Sequence, residues 1–256
     1  MKKNILFFLL AMACSVVAYA QAAKPGETQS WGYFRFGINK LGKELSADLT
    51  MKENILAGNS GKKTGYALEF GRNYYLHKKS LWPRFPTKIG LDWTHVSFTY
   101  NKLDFSQFVT QDLEEGYTVD RKSFSSITAS SKLGPVVSVN LIRKLVVDVR
   151  VQIAYTVHAH VVDYEAGNGS NTKYLSFIRE QEESGGEGDP ERSFSLGRLF
   201  HTGWRPAYGL TARYGGVGLA VDYFAGNLKA GYISDEGDGE ANMKAGAVQF
   251  KLSLKL

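Results

Sequence analysis

The feature that most constrains this chain is a long alternation of apolar and polar side chains from Leu145 to Tyr164. The odd-numbered positions are apolar from Leu145 to Val161, whereas the even-numbered positions are mostly polar and include Asp148 and Arg150. A strand places alternate side chains on opposite faces, and a helix would scatter these residues around its circumference. The segment therefore predicts a strand that separates two different environments.

The same period recurs in seven further segments, so the chain is predicted to form eight strands. They are Trp31 to Ile38, Gly65 to Leu76, Thr87 to Asn101, Phe124 to Leu141, Trp204 to Tyr214, Val217 to Tyr223 and Met243 to Leu256. A one-residue slip of the pattern near Thr94 and His95 predicts a β-bulge. Long and tight connections mostly alternate, as in an all-β, eight-stranded antiparallel up-and-down transmembrane β-barrel.

Composition supports an all-β chain and excludes several classes of protein. The 256 residues include 27 Gly, 14 Tyr and 15 Phe but 6 Pro, which suits strands better than helices. The single cysteine excludes a disulfide scaffold and any Cys-rich zinc site. A net charge of +6 is too mild to indicate nucleic acid as a partner.

Alternation alone leaves open which face is outside, because a lipocalin-like soluble barrel has the same period. Trp204 and Tyr214 lie ten residues apart on the apolar face, a span of about 23 Å for a tilted strand, close to the apolar band of outer-membrane barrels. The polar face mixes both signs of charge and can fill a narrow interior as a paired network. The predicted interior charges are Arg35, Glu69, Lys88, Asp92, Lys132, Asp148, Arg150, Arg205, Arg213 and Asp222.

The first twenty residues have the pattern of a secretory signal peptide. Lys2 and Lys3 precede an apolar run, and Ala18-Tyr19-Ala20 offers small residues at the cleavage positions. We therefore expect a signal peptide over 1–20 and a barrel domain over 21–256, located in the outer membrane after cleavage near Ala20. A lipoprotein signal ending at Cys14 is the alternative.

The whole predicted mature chain resembles the outer-membrane β-barrel domain proteins of Bacteroidetes-type, Gram-negative bacteria, which include the PorT-like small barrels. The resemblance rests on the architecture and on Lys132-Leu133-Gly134-Pro135, followed by a tight turn and a Val-rich strand. The chain departs from many such barrels in ending on Leu256 rather than on an aromatic residue. Because the functions within the family are mixed, the resemblance implies a location and only suggests a role in an export machine.

Two histidines and two acidic segments are the other candidate sites. His158 and His160 lie two apart and so face the same, interior or rim, side of a strand, where a metal is the less favoured interpretation. His201 is predicted to lie in a loop. The acidic segments Glu180 to Glu191 and Asp235 to Glu240 are predicted to be solvated loops, with capture of calcium or another ligand as the less favoured interpretation. Lys78 to Arg84 is predicted to be a turn that anchors at lipid headgroups, with contact to a periplasmic partner as the alternative.

These observations predict a non-enzymatic integral barrel with no cofactor and with outer-membrane lipid as its surroundings. Its filled interior argues against a wide porin, and its expected role is that of an envelope anchor, surface-interaction module or accessory of a larger machine with envelope protein partners. A lipid-modifying enzyme at the rim would need Ser and His on one lipid-accessible surface. That enzyme and a narrow small-solute channel are the two alternatives.

Overall fold

A computed structural model describes residues 30–61, 63–76, 86–142, 144–177 and 200–256. The predicted signal peptide over 1–20, the alternative lipidation site at Cys14, the turn at Lys78 to Arg84 and the acidic segment at Glu180 to Glu191 lie outside these residues. Within the described residues, no helix is both long enough and apolar enough to cross a membrane.

The described residues form eleven strands and two short helices. The strands are β1 (Ser30–Leu41), β2 (Thr64–Tyr75), β3 (Thr87–Lys102), β4 (Thr118–Ile142), β5 (Leu145–Gly167), β6 (Thr172–Ser176), β7 (His201–Tyr214), β8 (Val217–Phe224), β9 (Asn227–Ser234), β10 (Gly237–Lys244) and β11 (Ala247–Lys255). The helices are α1 (Met51–Leu56) and α2 (Ser106–Glu114).

Eight of these strands close into an antiparallel barrel. The ring runs β1-β2-β3-β4-β5-β7-β8-β11, and β11 pairs with β1 to close it. Neighbours in the ring follow one another along the chain, apart from the short strands inserted in two connections, so the topology is up-and-down. The predicted eight-stranded fold is confirmed, as is the bulge, because β3 loses register with β2 and β4 around His95.

The connections at the two ends of the barrel differ in length. At one end β4 and β5 are joined through residues 143–144, and β7 and β8 through Gly215 and Gly216. The described chain ends, Ser30 and Leu256, lie at this same end, which we call the turn end. The four connections at the opposite end contain both helices and the strands β6, β9 and β10.

These longer connections fold together over the barrel and form what we call the cap, comprising α1, α2, β6, β9, β10 and the upper parts of β4 and β5. Its apolar core is a single cluster of buried side chains. The cluster includes Met51, Ile55, Leu103, Phe105, Val109, Val162, Tyr164, Leu175, Phe177, Leu228 and Met243. The barrel therefore carries a second, apolar core beyond its polar interior.

One predicted loop is in fact a hairpin. The acidic segment Asp235 to Glu240 is predicted to be a solvated loop, but it forms the turn and the start of the second strand of a hairpin in which β9 and β10 pair from Asn227↔Lys244 to Ser234↔Gly237. The backbone of β9 also bonds to β6, which in turn pairs with β5. The local hairpin and the long-range pairing of β9 with β6 together make a strand of a segment whose own composition favours a turn.

Local sequence explains the first cap helix. Thr50 caps α1 through a reciprocal capping box, in which the Glu53 amide donates to the Thr50 hydroxyl and the Thr50 amide donates to the Glu53 carboxylate at 2.8 Å. Asn54 donates its side-chain amide to the Ser46 carbonyl and so holds the preceding loop against the helix.

Candidate functional site: the barrel interior

The two faces of the barrel wall have opposite chemistry. On β7, the side chain of Leu210 points outward and is 48% exposed, whereas its neighbour Thr211 points inward and is fully buried. The same alternation makes the exterior apolar on every side, with exposed side chains such as Leu68, Val151 and Val221. The polar face predicted from the sequence is therefore the interior face.

Glu69 on β2 is one of two carboxylates that organise the interior. The Arg35 guanidinium and the Lys132 ammonium each donate to it at 2.8 Å, and the Lys251 ammonium donates to it as well. All four side chains are completely or almost completely buried. Because a buried charge is costly unless it is paired, these contacts are needed for the residues to occupy the core at all.

Asp222 on β8 is the second organising carboxylate. It accepts from the Arg150 guanidinium at 2.5 Å and from the Lys251 ammonium, and it lies 3.6 Å from Lys132. Lys132 and Lys251 thus bridge Glu69 to Asp222, which joins the pairs into one network across the lumen.

A third carboxylate, Asp92 on β3, is held mainly by neutral groups. The Tyr33 hydroxyl donates to it at 2.6 Å and the Gln152 amide donates at 3.1 Å, while Arg35 lies 3.9 Å away. Arg150 also donates to Thr211 on β7. Each of the eight ring strands therefore contributes a side chain to this connected interior network, which we call the plug.

Two glycines make room for the plug. A Cβ atom on Gly209 would collide with both Arg150 and Asp222, and one on Gly71 would collide with the Tyr33 hydroxyl. The space that these glycines leave open is occupied by large side chains on neighbouring strands.

Several predicted interior charges lie apart from the plug. Asp148 and Arg213 form their own pair at 2.9 Å near the turn end, where Arg213 also contacts the Tyr75 hydroxyl. Lys88 is half-buried at the same end, with its ammonium 5.6 Å from the centre of the Tyr75 ring.

Arg205 differs from its predicted role as a member of a charge pair. Its Nε donates to the Ala225 carbonyl at 3.3 Å, its Nη2 donates to the Ala245 carbonyl, and its guanidinium lies 5.5 Å from the centre of the Phe224 ring. Within the described residues it forms no ion pair. The reason is the position of Arg205 on β7, which lies beyond the plug toward the cap. There its side chain faces the bend between β8 and β9 rather than the carboxylates of the plug.

Four members of the plug lie outside the predicted set of interior charges: Lys251, Tyr33, Gln152 and Thr211. Lys251 shares the predicted polar face with Gln249 and Ser253, so its inward direction was visible in the alternation. Tyr33 gave no such signal, because its aromatic ring suggests an outward residue, whereas it is buried and hydrogen-bonded to Asp92 and Thr94.

Three histidines lie together between the plug and the cap. His158 and His160 both point inward, with their rings 4.4 Å apart, and His158 Nδ1 is hydrogen-bonded to the Thr128 hydroxyl at 2.6 Å. The prediction that His201 lies in a loop is wrong, because it begins β7, pairs with His158 across the ladder and is buried. No group of three or more possible ligands among the described residues has the geometry of a metal site.

The cap contains an ion-pair cluster of its own, in which Asp112 is buried, Lys173 is half-buried and Glu115 is exposed. The Lys173 ammonium donates to Asp112 at 2.7 Å and to Glu115 at 2.9 Å, and the Tyr164 hydroxyl donates to Asp112. The hydrogen bonds to both carboxylates raise the pKa of Lys173, and the hydrogen bond from Lys173 lowers the pKa of Glu115. The hydroxyl of Ser106 in turn lowers the pKa of Asp104, which precedes α2.

The two aromatic residues predicted at membrane interfaces are among the most exposed on the outer surface. Trp204 is 70% and Tyr214 63% exposed. Trp204 lies toward the cap and packs on Tyr155 at 5.0 Å between ring centres, while Tyr214 lies at the turn end.

Fold and interior together define the class of protein: an eight-stranded up-and-down β-barrel with an ion-paired lumen and an apolar outer surface. Among solved structures, AlkL in lipid bilayers is similar, with 14% identity, coverage of 92% of this chain and 94% of that chain, and a TM-score of 0.40. Ail of Yersinia pestis is 11% identical, with coverage of 90% and 100% and a TM-score of 0.38. Neisserial surface protein A is 9% identical, with coverage of 89% and 97% and a TM-score of 0.38.

These identities and TM-scores are low, so the fold assignment rests on the closed ring of strands and not on the similarities. No family model and no curated protein matches the chain.

Proposed function

We propose that this chain is an integral outer-membrane β-barrel whose closed lumen makes it an anchor for the cap rather than a wide pore. The observation that carries the proposal is the reversal of the usual faces of a soluble barrel. Charged side chains such as Glu69 and Lys132 are fully buried in the lumen, while large apolar side chains such as Leu210 cover the outer wall.

An apolar belt of this extent needs a partner that covers it on all sides. Soluble monomers rarely expose contiguous apolar patches larger than a few hundred Å². The exposed aromatic residues Trp204 and Tyr214 lie at opposite ends of the belt, as the aromatic girdles of membrane barrels do. Lipid is the surrounding that fits both features.

The plug supports a role other than bulk transport. An eight-stranded barrel has an interior just wide enough to be filled by side chains. Here Lys132 and Lys251 join Glu69 to Asp222 across the lumen, so ions and solutes would have to break several charge-assisted contacts to pass.

The cap is the part of the molecule that can meet other molecules. If the described chain ends face the periplasm, as short turns do in outer-membrane barrels, the cap faces the outside of the cell. We therefore propose a non-enzymatic surface-interaction or accessory role, and the resemblance to PorT-like small barrels of Bacteroidetes-type bacteria favours an export or assembly machine as the partner.

Conductance of the refolded full chain in planar bilayers tests the closed lumen. We expect no stable porin-like conductance from the wild type. The double variant Lys132→Ala/Lys251→Ala, which removes both bridging ammonium groups, should conduct more than the wild type if the plug is the barrier. A stable open pore in the wild type would contradict the proposal.

A second experiment tests location and partners. The protein should fractionate with outer membranes, and it should migrate differently on gels before and after boiling, as a stably folded barrel does. Cross-linking from the cap, through a cysteine in place of exposed Lys229, should then recover envelope proteins that the same label in place of Lys255 at the turn end does not. Equal recovery from both positions would count against the cap as the interaction surface.

A further inference from the structure

Among the described residues, Arg205 is the one buried arginine or lysine of the interior that lies outside both groups of ion pairs. Apart from the Asp148–Arg213 pair, four cations of the plug (Arg35, Lys132, Arg150 and Lys251) face three carboxylates (Glu69, Asp92 and Asp222). Arg205, 4% exposed, adds a further positive charge with no carboxylate partner within the described residues. The interior around it therefore has an excess of positive charge.

The guanidinium of Arg205 has N–H groups that are not used in hydrogen bonds within the described residues. It carries five N–H groups, and two of its nitrogens are used on the backbone carbonyls of Ala225 and Ala245. Those two carbonyls belong to the bends where β8 continues into β9 and where β10 continues into β11. Arg205 thus ties the barrel to the cap while some of its N–H groups face the space beside it.

That space is a cavity of about 40 Å³ between the plug and the cap. It has room for roughly three water-sized occupants. Arg205, Thr156, His158, Asn39 and Gln249 are among the residues that line it.

Five lining residues have a buried side-chain atom with no hydrogen-bond partner in the described part of the chain: Asn39 Oδ1, Ser60 Oγ, Thr156 Oγ1, His158 Nε2 and His160 Nδ1. Among them are the Thr156 hydroxyl, on a residue 1% exposed, and Nε2 of His158, on a residue 4% exposed. When the Thr128 hydroxyl donates to Nδ1 of His158, Nε2 carries the ring proton and becomes a donor. A buried cation and two unused donors then line one small cavity.

We infer that this cavity binds a small inorganic anion, of the size and chemistry of a halide ion, beside Arg205. The anion accepts from the Arg205 guanidinium, the Thr156 hydroxyl and His158 Nε2, and it neutralises the unpaired charge. A water molecule in the remaining space donates to the Asn39 side-chain oxygen, which is also without a donor. Bound there, the anion stabilises the junction of barrel and cap.

The direct test is to locate bromide in crystals of the full-length protein in detergent. Crystals grown in sodium bromide should show an anomalous difference peak in the cavity at hydrogen-bond distance from Arg205. A cavity that contains only water at saturating bromide would overturn the inference.

A solution experiment checks that the anion affects stability. The urea midpoint of refolded wild type should rise saturably when chloride replaces gluconate at constant ionic strength, and Arg205→Gln should abolish this rise. The matched control is Arg213→Gln, which loses an arginine paired with Asp148 and should keep the chloride dependence whatever its own midpoint. An identical chloride dependence in Arg205→Gln and wild type would contradict the inference, and if Arg205→Gln does not fold, the bromide peak in the wild type decides.

Discussion

At the scale of single residues, the interior is built by pairing very large side chains with glycine on the neighbouring strand. Gly209 is the clearest case, since it faces the ion pair of Arg150 and Asp222 from β7. Without such gaps, an eight-stranded lumen could not contain four long basic side chains and their partners.

Replacing Gly209 with alanine should therefore destabilise the barrel. The added methyl group displaces the Arg150–Asp222 pair, and overpacking of this kind costs about 1–3 kcal/mol. Urea unfolding of the refolded protein in detergent or lipid measures the change. Gly216→Ala is the control, because a Cβ at this turn position meets nothing within 4 Å. Equal stability of the two variants would show that the pair does not depend on this gap.

Neutralising Asp222 should cost more than overpacking. Asp222→Asn leaves Arg150 and Lys251 short of a buried counter-charge, and breaking a buried pair typically costs about 3–5 kcal/mol. Asp238→Asn, at the exposed β9–β10 hairpin, is the matched control and should change stability by less than about 0.5 kcal/mol. The urea midpoints of unfolding of both variants measure these changes in stability. If Asp222→Asn were as stable as the wild type, the result would indicate that water already reaches this carboxylate.

At the scale of secondary-structure elements, the ring strands and the cap depend on different forces. The ring strands are joined by continuous backbone ladders, whereas α2 and β6 meet through the apolar core of the cap and the ion pairs of Lys173 with Asp112 and Glu115. The cap should therefore respond to pH before the barrel does.

The sign of that response follows from the pKa shifts. The lowered pKa of Glu115 stabilises the cap above the ordinary carboxyl pKa of 4.5, and this contribution is lost as the pH falls through the lowered value. The raised pKa of Lys173 stabilises the cap below the ordinary lysine pKa of 10.5, and this contribution is lost as the pH rises through the raised value. Both contributions are small, because solvent reaches these side chains.

Hydrogen exchange of α2, corrected for the intrinsic pH dependence, measures this effect. Protection should be constant between about pH 5 and 9 and should fall in acid while the ring strands keep theirs. In Lys173→Met the protection of α2 should be lower across that range and should lose most of its acid step, whereas exposed Lys229→Met should behave as wild type. An unchanged acid step in Lys173→Met would assign the transition to other groups.

The sequence predicts the ring strands well and the cap poorly, for a physical reason. Because each ring strand separates two different environments, apolar and polar side chains alternate along it. This alternation allows strands such as the one over Leu145 to Tyr164 to be predicted from the sequence. The strands β6, β9 and β10 are short, and the pairing of β6 with β9 joins residues almost sixty positions apart, so the local sequence pattern does not predict them.

The interior site was predictable as a set of inward-facing charges but not as a set of pairs. Alternation along a strand predicts whether a side chain points into the lumen or outward. Which residue it pairs with depends on the register between strands and on the height of each residue along the barrel axis. Arg205 illustrates this limit, since its inward direction is visible in the sequence and its backbone partners Ala225 and Ala245 are not.

At the scale of the whole molecule, the barrel has a polar core inside, an apolar belt outside and an apolar core in the cap. The polar core fills and closes the narrow lumen, and the apolar belt requires an apolar surrounding. The apolar core of the cap holds the longer connections together as an ordered surface beyond the belt. This combination supports an anchored surface module more readily than a conduit.

The free energy of folding into phospholipid vesicles for Leu210→Arg tests the outward, lipid-facing direction of the belt most directly. Leu210 lies between Trp204 and Tyr214 on β7, so an arginine there should cost about 2–4 kcal/mol, as at a bilayer midplane. Val217→Arg, at the turn end, is the matched control and should cost about 0–1 kcal/mol. If Leu210→Arg folded as well as Val217→Arg and the wild type remained soluble and folded without lipid or detergent, the belt would face water and the membrane assignment would be wrong.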